Sequence, residues 1–108
     1  MTPLSTHHCA PGGQAAALSD ADINQYLLTL TGWQREADQL RKTYPFKNYH
    51  ETIAFVNASA WISHREDHHP DMSVHYNRCV VAYSTHDAGG ITLNDFICAA
   101  KLDALFTL

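Results

Sequence analysis

The sequence predicts a single α+β domain: a four-stranded antiparallel sheet with helices packed on one face, in the order α-β-β-α-β-β-α. Apolar residues recur at helical spacing in three stretches, and between them lie stretches in which apolar and polar residues alternate. Turn signals divide the alternating stretches, pairing consecutive strands into hairpins. The 108 residues, 45% of them apolar, supply one modest core. An antiparallel sheet covered on one side only leaves a face or an edge for a partner subunit.

Residues 1–17 hold Pro3, Pro11, Gly12, Gly13 and an alanine run with no sustained period, and are expected to be a flexible lead-in to a domain at 18–108. Ser19 and Asp22 form a capping pattern, and Ile23, Tyr26, Leu27 and Leu30 recur at helical spacing until Gly32. From Trp33 to Phe46 the pattern alternates, with Ala37-Asp38-Gln39 as the turn and Leu40, Lys42, Tyr44 and Phe46 on one face. Pro45 cannot donate to a ladder, so its strand should end there or lie at an edge. Asn48 and Glu51 cap a long helix bearing Ile53, Phe55, Val56, Ala60, Trp61 and Ile62. Pro70 disfavours helical backbone at His69, so this helix should end near Asp67 or His68, with His64 and His68 sharing a face. Met72 to Tyr76 and Cys79 to Thr85 read as strands joined at Asn77-Arg78, and Thr92 and Asp95 cap a last helix with Leu93, Phe96, Ile97, Ala100 and Ala104 inward.

Composition excludes several function classes. Lys and Arg number 7 against 11 Asp and Glu, a formal charge of -4, and no basic cluster exists to track phosphates, so nucleic acid is not an expected partner. Cys9, Cys79 and Cys98 are odd in number and lack a CxxC pair, which argues against a disulfide framework and a thiolate zinc site and fits a reducing cytoplasm. No apolar run approaches a membrane span, and no charged-then-apolar leader opens the chain.

Chemistry concentrates in His64-Arg65-Glu66-Asp67-His68-His69-Pro70, answered by Ser84-Thr85-His86 and Asp95. Imidazoles beside turn signals suit paired general acid and base work, contributing on the order of 10²–10⁴-fold per proton transfer. Elimination of water is such a reaction and needs no redox cofactor. Two other readings stand beside it. His64, His68, His69, His86 and Asp67 could bind zinc, although adjacent histidines diverge and the HExxH glutamate is missing. Histidines before Pro70 could also simply cap a helix C-terminus. His7, His8 and Cys9 receive no role. His50 and His75 suit surface or packing positions, Asp95 is explained by capping, Tyr76 fits core or pocket, and Trp33 and Trp61 are expected in the core. Cys79 and Cys98 read as small buried apolar groups.

His64, three residues, His68-His69-Pro70, five residues, Tyr76, nine residues, His86, eight residues and Asp95 form a spaced signature. With Leu40-Arg41, Pro45-Phe46, Gly89-Gly90-Ile91-Thr92 and Lys101-Leu102-Asp103, the chain resembles the pterin-4a-carbinolamine dehydratases, also called dimerisation cofactors. The resemblance implies dehydration of 4a-hydroxytetrahydropterin to quinonoid dihydropterin, recycling the cofactor of aromatic amino-acid hydroxylases. It implies no metal or organic cofactor, the pterin being the substrate. Catalytic roles carry over to His68, His69 and His86, and pterin contacts to Asp67, Ser84, Thr85 and Asp87. It implies an α+β fold, assembly as homodimers or homotetramers, and no nucleic-acid or membrane partner. Two positions depart from the pattern: Met72 stands where tryptophan is frequent, and His64 where an acidic residue is common. The resemblance also admits a non-catalytic interaction module, as in vertebrate relatives that bind a homeodomain factor, and a role on another pterin such as molybdopterin.

Overall fold

The computed structural model describes residues 3–11 and 14–107. Its sheet is built from two hairpins, β1 (Gln34–Glu36) with β2 (Gln39–Pro45) and β3 (Asp71–Val74) with β4 (Arg78–Tyr83). They join through their longest strands in the order β1-β2-β4-β3, antiparallel throughout. Register decides the core: Leu40 lies opposite Tyr83 and Tyr44 opposite Cys79. With Val81 these residues form one buried face, because side chains alternate along a strand. Pro45 ends β2, where its missing N–H removes no interior ladder bond.

That face is covered by α3 (Leu93–Ala104), whose Phe96, Cys98, Ala99 and Leu102 are inaccessible to solvent. Burying a side chain the size of Phe96 contributes about 1.5–3 kcal/mol. The long α2 (Tyr49–Glu66) adds Phe55, and α1 (Asp20–Leu27) adds Ile23. The expected α+β architecture is therefore present, with each helix started by a side chain of the kind the sequence indicated. Ser19 accepts from Asp22 N–H, Asn48 from Glu51 N–H, and Thr92 and Asp95 form a reciprocal capping box.

Local details differ. α1 stops at Leu27 because Leu28, Thr29 and Leu30 bond three residues back, tightening the chain, and Gly32 then adopts a positive φ of 87°. The first hairpin turns on Ala37-Asp38 alone, with Glu36 facing Gln39 and Ala37 in left-handed backbone. The second turns on Tyr76-Asn77, since Arg78 belongs to β4 opposite Pro45 and carries its carbonyl to His75 N–H at 2.9 Å. Along α2 only one stripe is covered, so Ala60 is exposed and Trp61, expected in the core, stands 64% exposed. Trp33 is buried as expected. Among the described residues, no helix is long and apolar enough to cross a membrane.

Candidate active site

The site begins where α2 ends. Asp67 takes left-handed backbone (φ 51°, ψ 43°), a conformation aspartate tolerates better than most residues. The N–H groups of Asp67 and His68 both donate to Ser63 O. This turn separates His68 from the helical face of His64, overturning the expected shared face. His64 stays on the exposed side of α2, 5.7 Å from the Trp61 ring. His68 instead stacks on Tyr83, ring centroids 5.9 Å apart and planes 15° off parallel. Its Nε2 lies 2.6 Å from Asp95 Oδ1.

Asp95 is fully buried, and its two oxygens tie three elements together. Oδ2 accepts from Thr92 N–H and from Thr85 Oγ1, each at 2.9 Å, while Oδ1 faces His68. The hydroxyls of Thr85 and Thr92 are 2.8 Å apart, so the Thr92 hydroxyl can donate to Thr85 as Thr85 donates to the carboxylate. Because a carboxylate oxygen only accepts, the bond to Asp95 Oδ1 puts a hydrogen on His68 Nε2, and in the neutral ring Nδ1 is then the acceptor nitrogen. The His68 side chain retains 13% exposure.

Thr85 brings the second segment to this carboxylate. It follows β4, pairs with Gly90 in an isolated bridge, and leads into a single 3-10 turn at His86–Ala88 that closes on Gly89 in left-handed backbone. His86 is thus displayed one residue beyond a hydrogen bond to Asp95, as His69 is displayed one residue beyond His68. Asp67, His69, His86 and Asp87 are exposed, Ser84 is half-buried and Thr85 is buried. Among the described residues, the rings of His69 and His86 have no hydrogen-bond partner, so they are available to a ligand. Asp95, read from sequence as a cap alone, both caps α3 and orients His68. Its place in the signature was the available signal.

Neighbouring groups are excluded from proton transfer. Burial, then the thiols of Cys98 and Cys9 and the charge of Asp95, push the Tyr83 hydroxyl far above its ordinary value. Cys79 is raised by burial, and Cys98 by its contact with the Cys9 thiol and by burial, so both stay protonated, inert thiols. Tyr76 is 65% exposed in the hairpin turn, His50 is exposed in the first turn of α2, and His75 bonds Ser73 Oγ at 2.8 Å. Among the described residues, no three His, Cys, Asp or Glu side chains gather as a metal site would require. A cavity of about 840 Å³ lies away from these histidines, among α1, β2, α3 and residues 3–5, lined by Tyr26, Lys42, Tyr44, Asp103 and Phe106. It lacks a proton carrier of the imidazole kind, so polar convergence and not cavity size marks the candidate site.

Fold and site together define a small α+β protein whose polar centre is a histidine held by a buried carboxylate at a helix N-terminus. The family model for pterin 4 alpha carbinolamine dehydratase matches residues 16–105, and the chain belongs to this family. A protein of Chromobacterium violaceum provisionally named pterin-4-alpha-carbinolamine dehydratase is 64% identical over 98 residues, 91% of either chain. One of Nitrosospira multiformis with the same provisional name is 54% identical, covering 97% of this chain and 94% of that one. Among solved structures, a transcriptional coactivator/pterin dehydratase from Brucella melitensis superposes with a TM-score of 0.80 at 30% identity, covering 82% of this chain and 97% of that one.

Proposed function

We propose that this protein dehydrates pterin-4a-carbinolamine to quinonoid dihydropterin, using His68 as base and His86 as acid. The observation that supports this most is the buried carboxylate of Asp95, which accepts hydrogen bonds from His68 and Thr85 and so joins the two histidine-bearing segments. With Nε2–H held by Asp95, the His68 Nδ1 lone pair takes the proton from N5 of the pterin. The N5–C4a double bond forms as the C4a hydroxyl leaves, protonated by His86 to water. Asp95 stabilises the imidazolium that develops on His68, the role a carboxylate plays behind a general base. His69 orients the bicyclic ring, with Asp67, Ser84, Thr85 and Asp87 supplying polar contacts. No metal takes part, the pterin is substrate and not cofactor, and the reaction recycles the pterin used by aromatic amino-acid hydroxylases in the cytoplasm. The protein works as a homodimer or homotetramer.

Spectrophotometric dehydration of enzymatically generated carbinolamine, with and without a chelator, tests this reading. His68→Ala and His86→Ala should each slow turnover by about 10²-fold or more while the fold survives. Unchanged turnover in both variants would defeat the assignment, and loss of rate on chelation would replace it with metal chemistry. The Brucella melitensis relative, a transcriptional coactivator/pterin dehydratase by name, favours a second reading, a protein-interaction module. That activity would need a partner and would survive loss of both histidines.

A further inference from the structure

Two buried polar side chains take no part in the site described above, yet each stands next to it in the chain. Glu66, its side chain 4% exposed, comes two residues before His68, and Asn94, 3% exposed, comes immediately before Asp95. Both bind the same short stretch of the N-terminal segment. Cys9 N–H donates to Glu66 Oε1 at 2.7 Å, and His8 Nδ1 lies 3.1 Å from Oε2. Ala10 N–H donates to Asn94 Oδ1 at 2.9 Å, and Asn94 Nδ2 donates back to Ala10 O at 3.0 Å. The Cys9 thiol meets Asn94 O at 3.6 Å and the Cys98 sulfur at 3.5 Å, and Lys101 Nζ bonds Ser5 O at 2.9 Å. Residues expected from sequence to be a loose lead-in thus make a strap across the end of α2 and the start of α3.

The strap lies where it can matter to chemistry. The His68–Asp95 bond spans the same gap between α2 and α3, and a misplacement of about 1 Å at a reacting group can cost on the order of 10²-fold in rate. A buried carboxylate or amide left without partners is expensive, so Glu66 and Asn94 need the strap as much as the strap needs them. Burial alone would raise the Glu66 carboxyl. The Cys9 N–H, His8 and the Lys101 charge outweigh that and hold it below the ordinary glutamate value.

We propose that Glu66 and Asn94 are positioning residues: through residues 8–10 they hold α2 against α3 at the spacing the His68–Asp95 bond requires, and so set the aim of the His68 ring. The catalytic part of this inference rests on the dehydratase reading of the site. It is tested in the full chain with Glu66→Leu, Asn94→Leu and the conservative Glu66→Gln, which keeps an acceptor for Cys9 N–H. Two readouts are used: kcat and KM for carbinolamine dehydration, and the exchange rate with water of the His68 imidazole N–H seen by proton NMR. In both leucine variants kcat should fall by about tenfold with KM within about twofold, and N–H exchange should quicken by about tenfold, as loss of positioning predicts. Glu66→Gln should restore most of both. Unchanged kcat and exchange in the leucine variants overturn the proposal, as does a loss that tracks stability and is not recovered in Glu66→Gln. Should a leucine variant fail to fold, Asn94→Asp keeps the acceptor for Ala10 N–H but turns a charged acceptor toward Ala10 O in place of the donor, and should still quicken exchange by about threefold. An inactive wild-type protein would sink the dehydratase reading, while the exchange measurement would still decide the strap.

Discussion

Two carboxylates on α3, Asp95 near its start and Asp103 near its end, solve the same physical problem with opposite results. Each gathers three donors. Asp95 takes Thr92 N–H, Thr85 O–H and His68, whereas Asp103 takes Trp33 Nε1–H at 3.0 Å, Lys42 Nζ at 2.9 Å and the Tyr44 hydroxyl. The donors at Asp103 are an ammonium, an indole N–H and a phenol. Burial, then the hydrogen bond and charge of Asp103, drive the Tyr44 hydroxyl far above its ordinary value. The network at Asp103 therefore locks Trp33, β2 and α3 together. The one at Asp95 contains a single imidazole at the margin of solvent, which makes a structural cap a candidate catalytic one. Bond count does not separate the two; Asp95 is fully buried where Asp103 is 26% exposed, and one donor to Asp95 is an imidazole that solvent can reach.

The contrast is broken most directly by conservative amides at both positions. Asp95→Asn presents an N–H group to His68 and favours the wrong tautomer, so kcat should fall by about 10²–10⁴-fold. Asp103→Asn should leave kcat within about threefold, since it touches no proton-transfer group. Equal losses in the dehydration assay would erase the distinction. Stability should reverse in emphasis at Asp103, where urea unfolding of Asp103→Asn should show a loss of about 1–3 kcal/mol. The Lys42 part of that loss is small, because the Asp103 side chain is 26% exposed and solvent screens the pair.

Alkaline pH offers a finer comparison, since each network has a buried tyrosine beside it. Tyr44 and Tyr83 both have folded values raised above the ordinary 10.0. A group with a raised folded pKa contributes its stabilisation in full below the unfolded value and loses it as pH rises beyond that. Stability should therefore hold up to about pH 10 and decline above it. Absorbance at 295 nm should show these two tyrosines ionising only as the protein unfolds; early ionisation of Tyr83 would mean that the ring under His68 is open to water. The smallest effect is expected outside both networks. Trp61→Ala should change unfolding free energy by no more than about 0.5 kcal/mol, since surface substitutions seldom do more.

Much of this was legible in the chain. The capping residues Ser19, Asn48 and Thr92, the two hairpins, and the arrest of α2 before Pro70 depend on neighbours a few residues apart. So does the placement of His68, His69 and His86 at element ends. Legibility failed wherever a partner lay far along the sequence. His64 and His68 have helical spacing, but left-handed backbone at Asp67 breaks the repeat between them. Trp61 fits the apolar period of α2, but the single covered stripe passes beside it. Residues 8–10 carry no period, because the bonds of Cys9 and Ala10 to Glu66 and Asn94 are made by backbone groups common to nearly any sequence.

By itself the sequence determined the elements, their order, the antiparallel pairing and the concentration of imidazoles in two segments, since each follows from local periodicity, turn chemistry or composition. Only the tertiary structure decided which histidine is held, by which carboxylate, and what braces that pair. Those partners stand 27 residues apart for His68 and Asp95, and 57 and 84 apart for the strap's bonds to Glu66 and Asn94. Contacts over such distances are set by how the helices seat on the sheet, a property of packing that no local pattern records.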